Sequence, residues 1–154
     1  MSNRHLQIGA VLCILFCLGS LVQQVFFLLH MDAPDPHLAT FAAEYRVTSS
    51  IETAIIVSVG LGLSALVFAR PTTMRGLLVG AFCLFIIWKR YFSNLGIFFR
   101  HGISDGLLTG AAIVWWRLHA PHIGIYVFSF VVLLSSCAFT FVGSYALRNR
   151  NKIT

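Results

Sequence analysis

The sequence predicts an all-α integral membrane protein: a four-transmembrane-helix bundle with a short interfacial or re-entrant helix between spans three and four. Three observations carry this reading. Of the 154 residues, 58% are hydrophobic and only 10% charged, with a mean hydropathy of +0.84, whereas a soluble domain carries about 25% charged and about 45–50% apolar residues. Four apolar runs reach the roughly 20 residues needed to cross a hydrocarbon core of about 30 Å. Each run also bears a stripe of small or weakly polar residues at helical spacing, the feature through which helices associate in lipid. The aromatic fraction of 14% excludes a disordered chain, and the length fits a single membrane domain, residues 1–154.

The first span covers residues 6–29, with Gln23 and Gln24 as its strongly polar interruptions. Arg4 precedes it as in a signal peptide, but the apolar run exceeds the usual core of about 7–15 residues and no small-residue cleavage site precedes Asp32, so a retained anchor is expected. Its seam runs through Gly9, Cys13, Cys17, Ser20 and Gln24. A loop follows, with Pro34 and Pro36 and the aromatics Phe41 and Tyr45, read as a turn and a short interfacial helical piece ending near Arg46.

The second span, residues 47–69, contains Glu52 and a seam of Thr53, Val57, Gly60 and Ser64. The connection Arg70-Pro71-Thr72-Thr73-Met74-Arg75 is tight, which makes spans two and three antiparallel neighbours. The third span, residues 76–99, holds Lys89 and Arg90, with a seam of Gly76, Gly80, Cys83, Ile87, Arg90 and Asn94. Residues 104–119 form the interfacial helix, with Ser104 as N-cap and Asp105 in the favourable first turn. Its twelve-residue apolar stretch, Leu107 to Leu118, suits an interfacial or re-entrant piece better than a crossing. The fourth span, residues 123–147, carries no charge and has a seam of Ser129, Ser136, Thr140 and Gly143.

Charge placement sets the expected topology. Arg4, Arg70, Arg75, Arg148, Arg150 and Lys152 fall on one side of a four-span arrangement, and Asp32, Asp35, Glu44, Glu52 and Asp105 on or near the other. The positive-inside bias then puts both termini in the cytoplasm, with a bacterial inner membrane preferred to an organelle. A net charge of +6 does not imply nucleic acid, because the bases flank spans instead of forming a patch. Cys13, Cys17, Cys83 and Cys137 all lie within spans, where a disulfide framework is not expected. The outward loops carry no thiol pairs, which disfavours a quinone-linked disulfide oxidase.

The candidate site is a polar layer in the outer half of the bilayer. At about 1.5 Å per residue, Gln24 lies roughly 9 Å, Glu52 roughly 8 Å and Arg90 roughly 13 Å below the outer edge, with Ser129 and Asn94 nearby. A charge within a span costs about 2.5–3.5 kcal/mol on insertion scales, so such groups face the bundle and pair. Arg90 lies on its helix seam and is expected to pair with Glu52. Lys89, about 140° from that seam, is expected to snorkel outward, although Glu52 itself lies roughly 100° off its own seam. The layer is either a register-setting ion pair, a contact to another protein's span, or a receptor for an anionic or quinone-like amphiphile, with Trp88, Tyr91 and Phe92 at its entrance. Arginine suits phosphate through its bidentate fork.

No histidine lies deep enough for a transmembrane haem. His30, His119 and His122 are weak metal candidates, since Pro121 spoils a shared helical face. His101 with Asp105 at i,i+4 is the best acid–base pair, and equally an ordinary cap. The leading expectation is therefore a non-catalytic subunit or accessory protein packing against a membrane partner or a second copy. The alternatives are a carrier binding bound lipid or quinone, and a small membrane enzyme acting on a lipid. No cofactor is expected beyond such a quinone or lipid.

Overall fold

The computed structural model describes residues 2–30, 36–89 and 123–150, and these are helical apart from the short turn at Arg70–Thr72. The order is α1 (Ser2–His30), α2 (Pro36–Ala69), α3 (Thr73–Ile87) and α4 (Ile123–Arg150). Three of them contain stretches long and apolar enough to cross a membrane, Asn3–Phe26, Arg46–Ala69 and Val127–Arg150, while Thr73–Ile87 is apolar but shorter. The expected interfacial helix 104–119 and the outer half of the expected third span lie outside the described residues.

The seams face inward as their spacing demands. Gly9, Cys13, Cys17 and Ser20 of α1 are buried, as are Val57, Gly60 and Ser64 of α2, Gly76, Gly80, Cys83 and Ile87 of α3, and Ser129, Ser136, Thr140 and Gly143 of α4. Leu6, Phe16, Val67, Val79, Ile86 and Leu133 fill the space between them. α1 packs most extensively on α4, α4 also holds α3, and α1 also holds α2. Contact between α2 and α3 is slighter, and α1 meets α3 across the diagonal of the ring.

Close approach explains several glycines. A Cβ on Gly9 would collide with the Thr140 methyl and stand 3.1 Å from the Ser136 carbonyl oxygen, and one on Gly76 would collide with Ser144 Oγ and a Leu6 methyl. Hydroxyls and thiols then hydrogen-bond across the gaps. Ser136 Oγ donates to Gly9 O at 2.7 Å, Ser144 Oγ to Thr73 O at 3.2 Å and Cys137 Sγ to Gly80 O at 3.8 Å. The contacts of Leu6 with Gly76 and Gly143 gather the start of α1, the α2–α3 turn and the last turns of α4 at one end of the bundle. Arg4, Arg70, Arg75, Arg148 and Arg150 belong to that end.

The helices extend beyond the spans that the sequence predicts: α1 begins at Ser2 and α3 at Thr73, in place of residues 6 and 76. α2 is one continuous helix of 34 residues in place of a turn, an interfacial piece and a separate span. At about 1.5 Å per residue it is about 51 Å long and outruns an about 30 Å core, and only its part from Arg46 to Ala69 is long and apolar enough to cross one. Pro36 sits at its first position, where a missing N–H costs nothing. α4 likewise runs on to Arg150, past the expected end at residue 147.

Candidate functional site: a polar layer at one end of the bundle

The α2–α3 hairpin positions the layer. Its turn is fixed by Thr72, whose side chain accepts from Arg75 N at 3.4 Å, and by the Arg75 guanidinium, which donates to Leu66 O at 2.7 Å and Arg70 O at 3.1 Å. Counting along each arm from this turn brings Glu52 and Lys89 to the same height, about 25 Å above it. That places them within a turn of the far boundary of an about 30 Å core.

Lys89 Nζ meets Glu52 Oε1 at 2.8 Å, with 43% and 49% of the two side chains exposed. The partner differs from the one expected from the sequence, which joins Glu52 to Arg90 and turns Lys89 away. Both residues lie off their seams, so they meet on the outer flank of the hairpin, where neither needs to enter the core. Arg90 and Asn94 lie outside the described residues.

Beside this pair, Gln24 ties α1 to α2. Its Nε2 donates to Ser50 Oγ at 3.1 Å, while Oε1 accepts from Ser49 Oγ at 2.9 Å and from Thr53 Oγ1 at 3.3 Å. The amide thus has three partners in one turn of α2, which removes most of the penalty of burying it. Arg46 stands one turn earlier, and its Nε is buried without a hydrogen-bond partner. Sequence reasoning misses Ser49, Ser50 and Arg46. Ser50 and Ser49 stand at i,i+3 and i,i+4 to Thr53, and Arg46 at i,i+3 and i,i+4 to Ser49 and Ser50, opposite the outer end of a span bearing Gln24; that spacing is the signal that could have found them.

His30 closes α1 as its last residue, and His101, Asp105, His119 and His122 fall outside the described residues. Among the described residues no three His, Cys, Asp or Glu side chains are spaced to hold a metal ion. Chemically the described part of the layer is an ion pair beside a satisfied amide–hydroxyl cluster, with the Arg46 guanidinium one turn away, suited to recognition and register. The four cysteines are free thiols in the core. No protein-family model, curated protein or solved structure matches the chain.

Proposed function

We propose that the protein is a non-catalytic, multi-pass membrane subunit that packs against another membrane protein through the outward face of α2. The carrying observation is a stripe of small residues on that face. Ala54, Ser58, Gly62, Ala65 and Ala69 recur every three or four residues and are all exposed, on the side opposite the buried Val57, Gly60, Ser64 and Val67. A Cβ added to Gly62 would meet nothing within 4 Å. Glycine costs a helix interior about 1 kcal/mol against alanine, and contacts among the described residues give no return for it. Close approach of a second helix does, since small-residue stripes let backbones pack in lipid. The half-exposed Lys89–Glu52 pair near the same helix adds a polar contact that a partner's span covers.

Gly19 provides the internal control, because it too is exposed and an added Cβ there would meet nothing within 4 Å, yet it lies on α1 outside the stripe. After extraction into polymer nanodiscs, Gly62→Leu is expected to lose a co-purifying membrane protein that the wild type and Gly19→Leu retain. Equal retention by both variants overturns the proposal.

A second reading rests on the same ion pair. An anionic headgroup or quinone-like amphiphile that displaces Glu52 from Lys89 makes the layer a binding site, and Lys89→Met then strips a specific bound lipid or quinone from the purified protein. The basic end of the bundle, with five arginines, supports a cytoplasmic location for both termini.

A further inference from the structure

At the basic end of the bundle, α1 and α4 are in close contact along their seams and part on one flank. Leu6 and Gly9 of α1 sit against Gly143, Ser136 and Thr140 of α4. Beside them the His5 ring stacks on Phe139, with centroids 6.0 Å apart and planes 28° from parallel. His5, Ala138, Phe139 and Val142 line a groove of about 220 Å³. Ala138 and Val142 are exposed and belong to the stretch of α4 that is long and apolar enough to cross a membrane, so the groove opens toward hydrocarbon. It is smaller than the about 300–1,000 Å³ of a pocket that encloses a drug-sized molecule, and a single acyl chain suits it.

The mouth of the groove is cationic. Arg4 precedes His5 and is exposed, turned away from the buried Leu6. Arg150 is also exposed, and its spacing from Phe139 brings the two within about 20° of each other around α4. Arg148, equally exposed, shares a different stripe with Cys137 and Phe141, which pack against Gly80 of α3. Among the described residues neither Arg4 nor Arg150 meets a carboxylate, and Glu52 is paired with Lys89 at the other end. From Arg150 to Ala138 is about 18 Å along the helix, close to the about 15 Å that one leaflet contributes to an about 30 Å core.

We propose that this flank of α1 and α4 binds an anionic glycerophospholipid of the leaflet at the basic end. One acyl chain lies in the groove against Phe139 and Val142, and the phosphate sits between Arg4 and Arg150. A guanidinium offers phosphate a bidentate fork, and basic pockets between helices at a membrane surface take anionic headgroups. Charge complementarity selects the lipid: phosphatidylglycerol keeps its negative charge, whereas phosphatidylcholine cancels its phosphate with its own ammonium. The site is separate from the Lys89–Glu52 layer and from the outward face of α2, because α4 packs on α1 and α3.

The test is native mass spectrometry of the full-length protein in mild detergent, titrated with phosphatidylglycerol or with phosphatidylcholine of the same acyl chains. Wild type is expected to bind the first phosphatidylglycerol about 25-fold more tightly, from about 5-fold for each arginine at an anionic headgroup. Arg4→Gln and Arg150→Gln are each expected to lose about 5-fold for phosphatidylglycerol and nothing for phosphatidylcholine, while Arg148→Gln matches wild type. Ala138→Trp, at an exposed position, fills the groove and is expected to weaken both lipids. Photolabelling of wild type by phosphatidylglycerol with a diazirine in its acyl chain depends on no variant folding, and is expected to mark peptides from the facing flanks of α1 and α4. Equal affinity of wild type for the two lipids, an Arg148→Gln loss as large as that of Arg150→Gln, undiminished binding by Ala138→Trp, or a photolabel confined to α2 or α3 overturns the site.

Discussion

Glycine positions separate what holds this molecule together from what it presents to its surroundings. At Gly9 the crowding atoms include the Ser136 carbonyl oxygen and the Thr140 amide nitrogen, at 3.1 and 3.2 Å from a Cβ. Backbone cannot swing aside as a side chain can, so Gly9→Ala must push α1 from α4 and stretch the 2.7 Å bond from Ser136 Oγ to Gly9 O. The expected loss is about 1–3 kcal/mol, the range for overpacking a well-filled interior. Gly19→Ala meets open space and is expected to leave stability unchanged or raise it by up to about 1 kcal/mol through helix propensity. Reversible unfolding in mixed detergent micelles measures both, and equal destabilisation would contradict the packing described. At this scale the sequence is informative about depth and poor about partners. Small residues at helical spacing have one efficient use in lipid, which is why the seams are legible. Lys89 and Arg90 stand at nearly equal distances from the α2–α3 turn, so counting alone cannot choose between them. The angular rule puts both Lys89 and Glu52 off their seams, yet the expected pairing joins Glu52 to the seam residue Arg90 because a charge within a span is expected to face the bundle.

Elements are legible where an apolar run and a helix coincide, and obscure where they part. Residues 36–46 carry Glu44 and Arg46, too polar for a span, and Pro34 with Pro36 reads as a break. Helix continuity depends on backbone hydrogen bonds and propensity, however, and Ala39, Ala42 and Ala43 supply propensity whether lipid or water surrounds them. The stretch apolar enough to cross a membrane therefore begins inside α2, at Arg46, ten residues after the helix itself begins at Pro36. The α2–α3 turn shows the opposite case, since Arg70-Pro71-Thr72 announces both a stop and a start. Thr72, extended at φ −126°, caps α3 by accepting from Arg75 N, and Gly76 N closes the first turn onto Thr72 O at 3.0 Å. Thr72→Ala is expected to cost about 0.5–2 kcal/mol, with Thr72→Ser recovering most of it. The same unfolding titration checks this, and a loss that serine fails to restore would point to the methyl group in place of the hydroxyl.

Across the whole molecule the four helices are unequally held. α4 lies between α1 and α3 and packs closely on both, whereas α2 rests mainly on α1 and meets α3 more sparingly. Much of α2 faces outward, with Ile51, Ile55 and Val59 among its exposed apolar residues. Local openings draw on the least densely packed unit, so α2 should separate from α1 before α3 separates from α4. The cysteines report this order. Cys17 is covered from the α2 side by Gly60, where an added Cβ would run into its sulfur, while Cys83 stands against Ser136 of α4. Timed labelling with a small maleimide in mild detergent, read by peptide mass spectrometry, should therefore modify Cys17 ahead of Cys83. Gly60→Ala, which wedges α2 away from α1, should widen the interval by accelerating Cys17 alone. Simultaneous labelling of both thiols would instead mean that the bundle opens as one cooperative unit, and that the thinner α2–α3 side has no independent motion.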